Sequence, residues 1–217
     1  LHEAKSTGKS LRYEAFVQSG SRIRLYNGVE EWFARINAYG ASKGLEVQHF
    51  ITSSGLREMI EGTPIAKEFR KIYACSFLYD VDGVAYWPAV AVNYTNKTQF
   101  IFKINKGIES VYDSQRINEY IEEEERPVPF RRMIYFGDGT TDIPCMRLVK
   151  QQGGRSIAVY NPVSERKRQT CERLLQDNRV NYVCPADYRE DRLIDRLVHA
   201  IIDRIAADEN LRKFDMK

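Results

Sequence analysis

No stretch of the 217 residues approaches the roughly eighteen consecutive apolar positions needed to span a bilayer, so a membrane helix is not expected. Residues 1–24 are polar and of mixed charge, without the basic, apolar and small-residue order of a secretory signal. The chain begins with leucine, which suggests that processing or truncation removed an earlier start. Cysteine is sparse: Cys75, Cys145, Cys171 and Cys184 are far apart, and no CxxC pair occurs. The three histidines, His2, His49 and His199, are equally scattered. Neither a disulfide framework nor a zinc site is suggested, and a reducing cytoplasm fits best. Charge of one sign is also lacking. Basic residues number 33 against 30 acidic, for a net +3, and no Arg/Lys cluster is interleaved with aromatics. Nucleic acid is therefore not the expected partner. The phosphate loops GxGxxG and GxxxxGK(S/T) are absent, which argues against a generic nucleotide-binding protein.

What is present is an ordinary globular composition, 43% hydrophobic and 29% charged, in a chain long enough for one sizeable core. The local charge runs, Glu122–Glu125, Arg131-Arg132 and Arg166-Lys167-Arg168, read as solvated faces. From residue 28 onward, β-like runs alternate with amphipathic helical ones. Val29, Trp32, Phe33, Ile36 and Tyr39 recur at helical spacing between Gly28 and Gly44. Strands are expected at 45–52, 71–80, 132–136, 155–160 and 180–183. Helices are expected at 56–62, 96–107, 116–125, 143–152, 164–176 and 189–207. Asp80-Val81-Asp82-Gly83, between two β-rich runs, predicts a hairpin. The alternation predicts an α/β protein with a doubly wound, Rossmann-like, mostly parallel sheet. Ligands then sit beyond the carboxyl ends of the strands, where the polar residues after each strand become the candidates.

The densest such segment is Gly137-Asp138-Gly139-Thr140-Thr141-Asp142, between the strand RMIYF and a helix. Two glycines let the backbone turn and approach a ligand closely. Asp138 and Asp142 can project together as paired carboxylates, suited to Mg²⁺, a hard cation that keeps several waters. The plainer reading is a turn with Asp142 capping the next helix.

This segment resembles the fourth motif of the haloacid dehalogenase superfamily, a magnesium-binding Gly-Asp-Gly-x-x-Asp loop. Ser53-Ser54-Gly55, after a strand, is similar to the second motif in its phosphoserine-phosphatase-like form. The resemblance makes Ser53, with Ser54 and Gly55, the expected phosphate contact and Thr52 the fallback; the alternative is a Ser-rich turn capping a helix. The third motif, a lysine opening a helix, is best matched by Lys97, and less well by Lys103 or Lys106. The resemblance covers about residues 25–205. It implies a core domain over 25–217, with 1–24 as the tail of a helical cap.

The superfamily's first motif is an Asp-x-Asp whose first aspartate attacks phosphorus. The only Asp-x-Asp-Gly here, at Asp80, comes after Ser53 instead of preceding it and reads as a turn. The nucleophile is therefore expected upstream of this chain, and loss of its strand would leave two central strands without a neighbour. The resemblance implies a Mg²⁺-dependent phosphohydrolase acting on a small phosphorylated metabolite, with Lys97 and Asp138 contributing to catalysis. The alternative is an inactive relative that keeps a metal and phosphate pocket.

Overall fold

The computed structural model describes residues 10–113 and 115–215; His2 and the first nine residues of the expected cap tail lie outside them. The chain divides into two compact units. One comprises Leu1–Arg24, His49–Lys103 and Ile108–Asn118, and the other Leu25–Gln48, Ile104–Gly107 and Glu119–Lys217. Among the described residues no helix is long and apolar enough to cross a membrane.

The first unit is built on β2 (Lys71–Tyr79), which pairs parallel with β1 (Phe50–Leu56) and antiparallel with β3 (Ala85–Val90). The expected hairpin therefore forms. Asp80 Oδ1 accepts from the amides of Asp82 at 3.0 Å and Val84 at 2.8 Å, tying the turn as aspartates commonly do. Helix α1 (Tyr13–Gly20) is bound to this hairpin, with Tyr13 N donating to the Gly83 carbonyl at 3.0 Å. It also crosses the short helix α3 (Arg57–Glu61) backbone to backbone. A Cβ on Gly20 would stand 1.9 Å from the Met59 carbonyl oxygen, and one on Gly62 2.0 Å from that of Val17. Only glycine permits this approach. In the core, Tyr73 stacks on Phe100 of α4 (Lys97–Asn105) at 5.1 Å and donates to the Ile108 carbonyl at 2.8 Å.

The second unit carries three parallel strands in the order β4 (Ile134–Gly137), β5 (Arg155–Tyr160), β6 (Tyr182–Pro185). Side chains alternate across it. Tyr135 joins Met146, Ala158, Cys171, Leu174 and Val180, against α5 (Ile143–Gln151) and α6 (Glu165–Gln176). Phe136 instead meets Trp32 of α2 (Val29–Ser42) edge-on at 6.4 Å. Helices therefore cover both faces, the arrangement that parallel strands require. The closing helix α7 (Leu193–Asp215) buries Ile194, Val198, Ile201 and Ile202, a stripe at helical spacing.

The α/β expectation holds, but the six described strands form two three-stranded sheets instead of one continuous sheet. Among the described strands β1 pairs only with β2, and β4 only with β5, so each is an edge strand. Two boundaries also differ from expectation. Residues 45–49 are not strand. Leu45 N donates to the Gly40 carbonyl at 2.9 Å, and Val47 Cγ2 fills the space a Gly40 Cβ would occupy, so these apolar residues finish α2. The helix expected over 116–125 is two 3₁₀ turns, Arg116–Asn118 and Glu123–Glu125. Four adjacent glutamates repel one another, and Tyr120, left 84% exposed, supplies no buried face to compensate. The charge runs there are not simply solvated. Arg131 holds Glu123 at 2.7 Å, Glu124 at 2.8 Å and Glu209 at 3.2 Å, while Arg132 also pairs with Glu209.

Candidate functional site

The loop after β4 has a division of labour between its two aspartates. Asp138 is exposed just past the strand, whereas Asp142 is 5% exposed. Asp142 occupies the N-cap position of α5, yet its side chain makes no cap hydrogen bond. It is turned back toward β4. There Oδ1 accepts from the Tyr135 hydroxyl at 2.7 Å and Oδ2 from the Asp138 amide at 3.3 Å. The capping alternative thus describes where Asp142 sits and not what its carboxylate does.

Gly137 makes this placement possible. A Cβ there would lie 2.6 Å from Asp142 Cβ and 2.9 Å from Met146 Sδ. Gly139 serves less than expected: its backbone is extended, and a Cβ would meet only Thr141 Oγ1 at 3.9 Å. The reversal into α5 is made by the 3₁₀ turn Thr140–Asp142 and by Pro144 in the first turn of the helix.

The charge of Asp138 is felt around it. Burial pushes the Cys171 thiol up, and Asp138 adds to that push. Burial likewise raises the Tyr188 phenol, with smaller contributions from Tyr26 and Asp138. Tyr188 packs edge-on to Trp32 at 5.2 Å. The loop therefore lies beside an aromatic group just after β6.

Chemically, Asp138 and Asp142 offer hard oxygen donors. Mg²⁺ is often held by only one or two carboxylates, with water and substrate phosphate filling its shell. That donor set fits the ion, and the absence of a side chain at Gly137 is what lets the Asp142 carboxylate pack close to the end of β4. Among the described residues, no group of three or more His, Cys, Asp or Glu side chains could hold a metal. A site here would thus rest on these two carboxylates and on non-protein ligands.

In the other unit, Ser53, Ser54 and Gly55 do not come after the strand but lie within β1, where its pairing with β2 is broken. Thr52 opposes Tyr73 and Leu56 opposes Cys75, so the segment bulges out of register. Ser53 Oγ accepts from the Gly55 amide at 3.0 Å, which leaves its own hydroxyl proton to donate elsewhere. The bulge arches over its own side chain and does not cap α3, which has no side-chain cap.

Lys97 is the first residue of α4 and only 5% exposed. Lys103 is removed from the phosphate candidates. Its ammonium, 1% exposed, donates to the carbonyls of Ser110, Val111 and Asp113 at 2.8, 3.0 and 2.7 Å. Burial pulls its pKa down. Lys106 donates to the Glu119 carbonyl. Ser53, Ser54, Gly55 and Lys97 belong to one unit and Asp138 and Asp142 to the other.

Two polar groups escaped the sequence reading. Tyr135 reads as an apolar strand residue, and nothing in a β-pattern reveals where its hydroxyl ends. Glu58, four residues after Ser54, is fully buried, with Oε1 accepting from Phe77 N at 3.1 Å. A buried acid within a short amphipathic helix leaves no mark on periodicity. A cavity of about 310 Å³ lies elsewhere, beyond the amino end of β4, lined by Arg131, Ile205, Asp208, Glu209, Leu211 and Arg212. Its ionic groups already have partners: Arg131 pairs with Glu209, Glu123 and Glu124, Arg212 with Glu124, and Asp208 with Arg204.

No family model matches the chain. An uncharacterized protein of Borreliella burgdorferi (strain ATCC 35210 / DSM 4680 / CIP 102532 / B31) is 28% identical over 200 residues, covering 83% of this chain and 67% of that protein.

Proposed function

We propose that the chain is part of a Mg²⁺-dependent phosphohydrolase of the haloacid dehalogenase type, acting on a small phosphate monoester. The observation that carries this reading is the Asp142 carboxylate. It stands at a helix N-cap but turns away from the helix toward Asp138, at the carboxyl end of a parallel strand. Ligands of α/β sheets collect at such ends. Asp138 and Asp142 would hold the metal, which when bound lowers the charge on a phosphate and polarises it. Ser53, Ser54 and Gly55 would donate to phosphate oxygens, and Lys97 would offset their charge. The four free thiols suit a reducing cytoplasm.

The attacking carboxylate is expected upstream of residue 1. It would form a bond to phosphorus as the ester oxygen departs with a proton, and water would then cleave the aspartyl-phosphate. Asp80 is a poor substitute, because its Oδ1 is engaged by two amides of its own turn.

The test is Mg²⁺-dependent release of phosphate from a generic phosphomonoester by this chain and by an upstream-extended form. Activity in the extended form alone, abolished by Asp138→Ala, is the expected result. Activity in the short chain would return Asp80 to consideration. Inactivity of both would favour the second reading, a metal- and phosphate-binding relative without chemistry.

A further inference from the structure

We propose that Tyr135 is the positioning residue for Asp142, fixing the carboxylate that the metal would meet; this inference rests on the metal reading above. Tyr135 lies mid-strand on β4, with its ring in the cluster formed by Met146, Ala158, Cys171, Leu174 and Val180. Packing holds the ring, and the ring delivers its hydroxyl to Asp142 Oδ1 at 2.7 Å, a short charge-assisted bond. The second oxygen receives the Asp138 amide at 3.3 Å. The two donors come from either side of Gly137 and together fix the rotation of the carboxylate.

Each carboxylate oxygen keeps further lone-pair capacity after accepting one hydrogen bond, so an oriented Asp142 can still ligate. Without the phenol the carboxylate would lose the shorter of these two bonds. The role differs from simple stabilisation. A structural bond would lower the melting temperature alone, whereas a positioning bond sets the affinity of the folded protein for metal. Removal of such outer-shell partners typically costs about 10- to 100-fold in metal affinity.

The experiment is Mn²⁺ binding to the 217-residue chain with inorganic phosphate present, monitored by the electron paramagnetic resonance of free Mn²⁺. Wild type, Tyr135→Phe and Asp138→Asn are compared, and metal-free melting is recorded for each. Phenylalanine keeps the ring and removes only the hydroxyl. The expected result is binding by wild type, its loss in Asp138→Asn, and about tenfold weaker binding by the folded fraction of Tyr135→Phe. Equal affinity in wild type and Tyr135→Phe would overturn the positioning role and leave the metal reading intact. So would a loss of Mn²⁺ capacity that merely tracks the loss of folded protein. Failure of wild type to bind, or unchanged binding in Asp138→Asn, would overturn the metal reading and the inference with it.

Discussion

Asp80–Gly83 and Gly137–Asp142 are made of similar letters, two aspartates and glycine directly after a β-strand, yet they build unlike structures. At the first, Asp80 spends its carboxylate on the amides of Asp82 and Val84, and Gly83 takes φ +72° to turn the chain back into β3. At the second, Asp138 is left exposed and Asp142 is folded in, with the chain running on into a helix. The residues downstream of the aspartates make the difference. VAYWPAV has the β-rich composition of a returning strand, whereas IPCMRLV places Cys145, Met146 and Val149 at helical spacing beneath the sheet. The same residue types serve a hairpin turn in one context and a strand-to-helix loop in the other.

The glycines separate the two loops most sharply. Gly137→Ala forces a Cβ to within 2.6 Å of Asp142 Cβ, in a packed region that cannot yield. We expect a loss of about 3 kcal/mol by chemical denaturation, the upper range for overpacking. Gly83→Ala meets nothing nearer than Glu14 Oε1 at 3.8 Å, so it bears only the left-handed backbone cost, about 1 kcal/mol. Equal losses would mean that the β4 loop relaxes as freely as the hairpin, and the contrast would fail.

The aspartates should show the same order with smaller effects. Asp142→Ala removes the buried acceptor of the Tyr135 hydroxyl and the Asp138 amide and should cost about 2 kcal/mol. Asp80→Ala breaks two hydrogen bonds, but in an exposed turn where water replaces them, and should cost about 1 kcal/mol or less. Urea denaturation of both variants measures the difference. A larger loss at Asp80 would show the hairpin, and not the β4 loop, to be the critical junction.

The comparison also marks how far the sequence could be read. The helices from Val29, Lys97, Ile143 and Glu165 were legible because each buries apolar residues at helical spacing, and the strands from Lys71, Ile134 and Arg155 because each is a short, β-rich apolar run. Residues 116–125 misled because a helical spacing of Ile117, Tyr120 and Ile121 says nothing of whether a surface exists to receive it. The Ser53 segment was found, but its bulged geometry depends on register with β2, a long-range property. Asp138 and Asp142 stood out as residue types in a loop. Their unequal burial and the Tyr135 bond depend on how α5 packs beneath the sheet, which no local pattern encodes. The split into two sheets was equally hidden, since alternation predicts strands and not which edges remain unpaired.

The smallest effect tests whether the exposed aspartate acts on its surroundings at all. Burial is the main reason the Cys171 thiol is raised, and the Asp138 charge is a secondary one. Cys184, raised by burial alone to about 11, has no such neighbour and serves as the internal control. Both thiols stay protonated in the folded protein at pH values where the unfolded chain ionises. Their contribution to stability is therefore complete below the ordinary thiol pKa and is lost as pH rises through the folded values. Asp138→Asn removes a negative charge that disfavours the Cys171 thiolate, so it should lower the Cys171 pKa and leave Cys184 in place. Titration of ¹³Cβ-labelled cysteine by NMR between about pH 8 and 12, spanning the ordinary and raised thiol ranges, distinguishes the two. A shift at both thiols would indicate a general loosening of the unit, and no shift at Cys171 would mean that water screens Asp138 as fully as it screens Asp80. A shift confined to Cys171 would mark Asp138 as a charge set against a dry surface, the condition under which a carboxylate can hold a cation firmly.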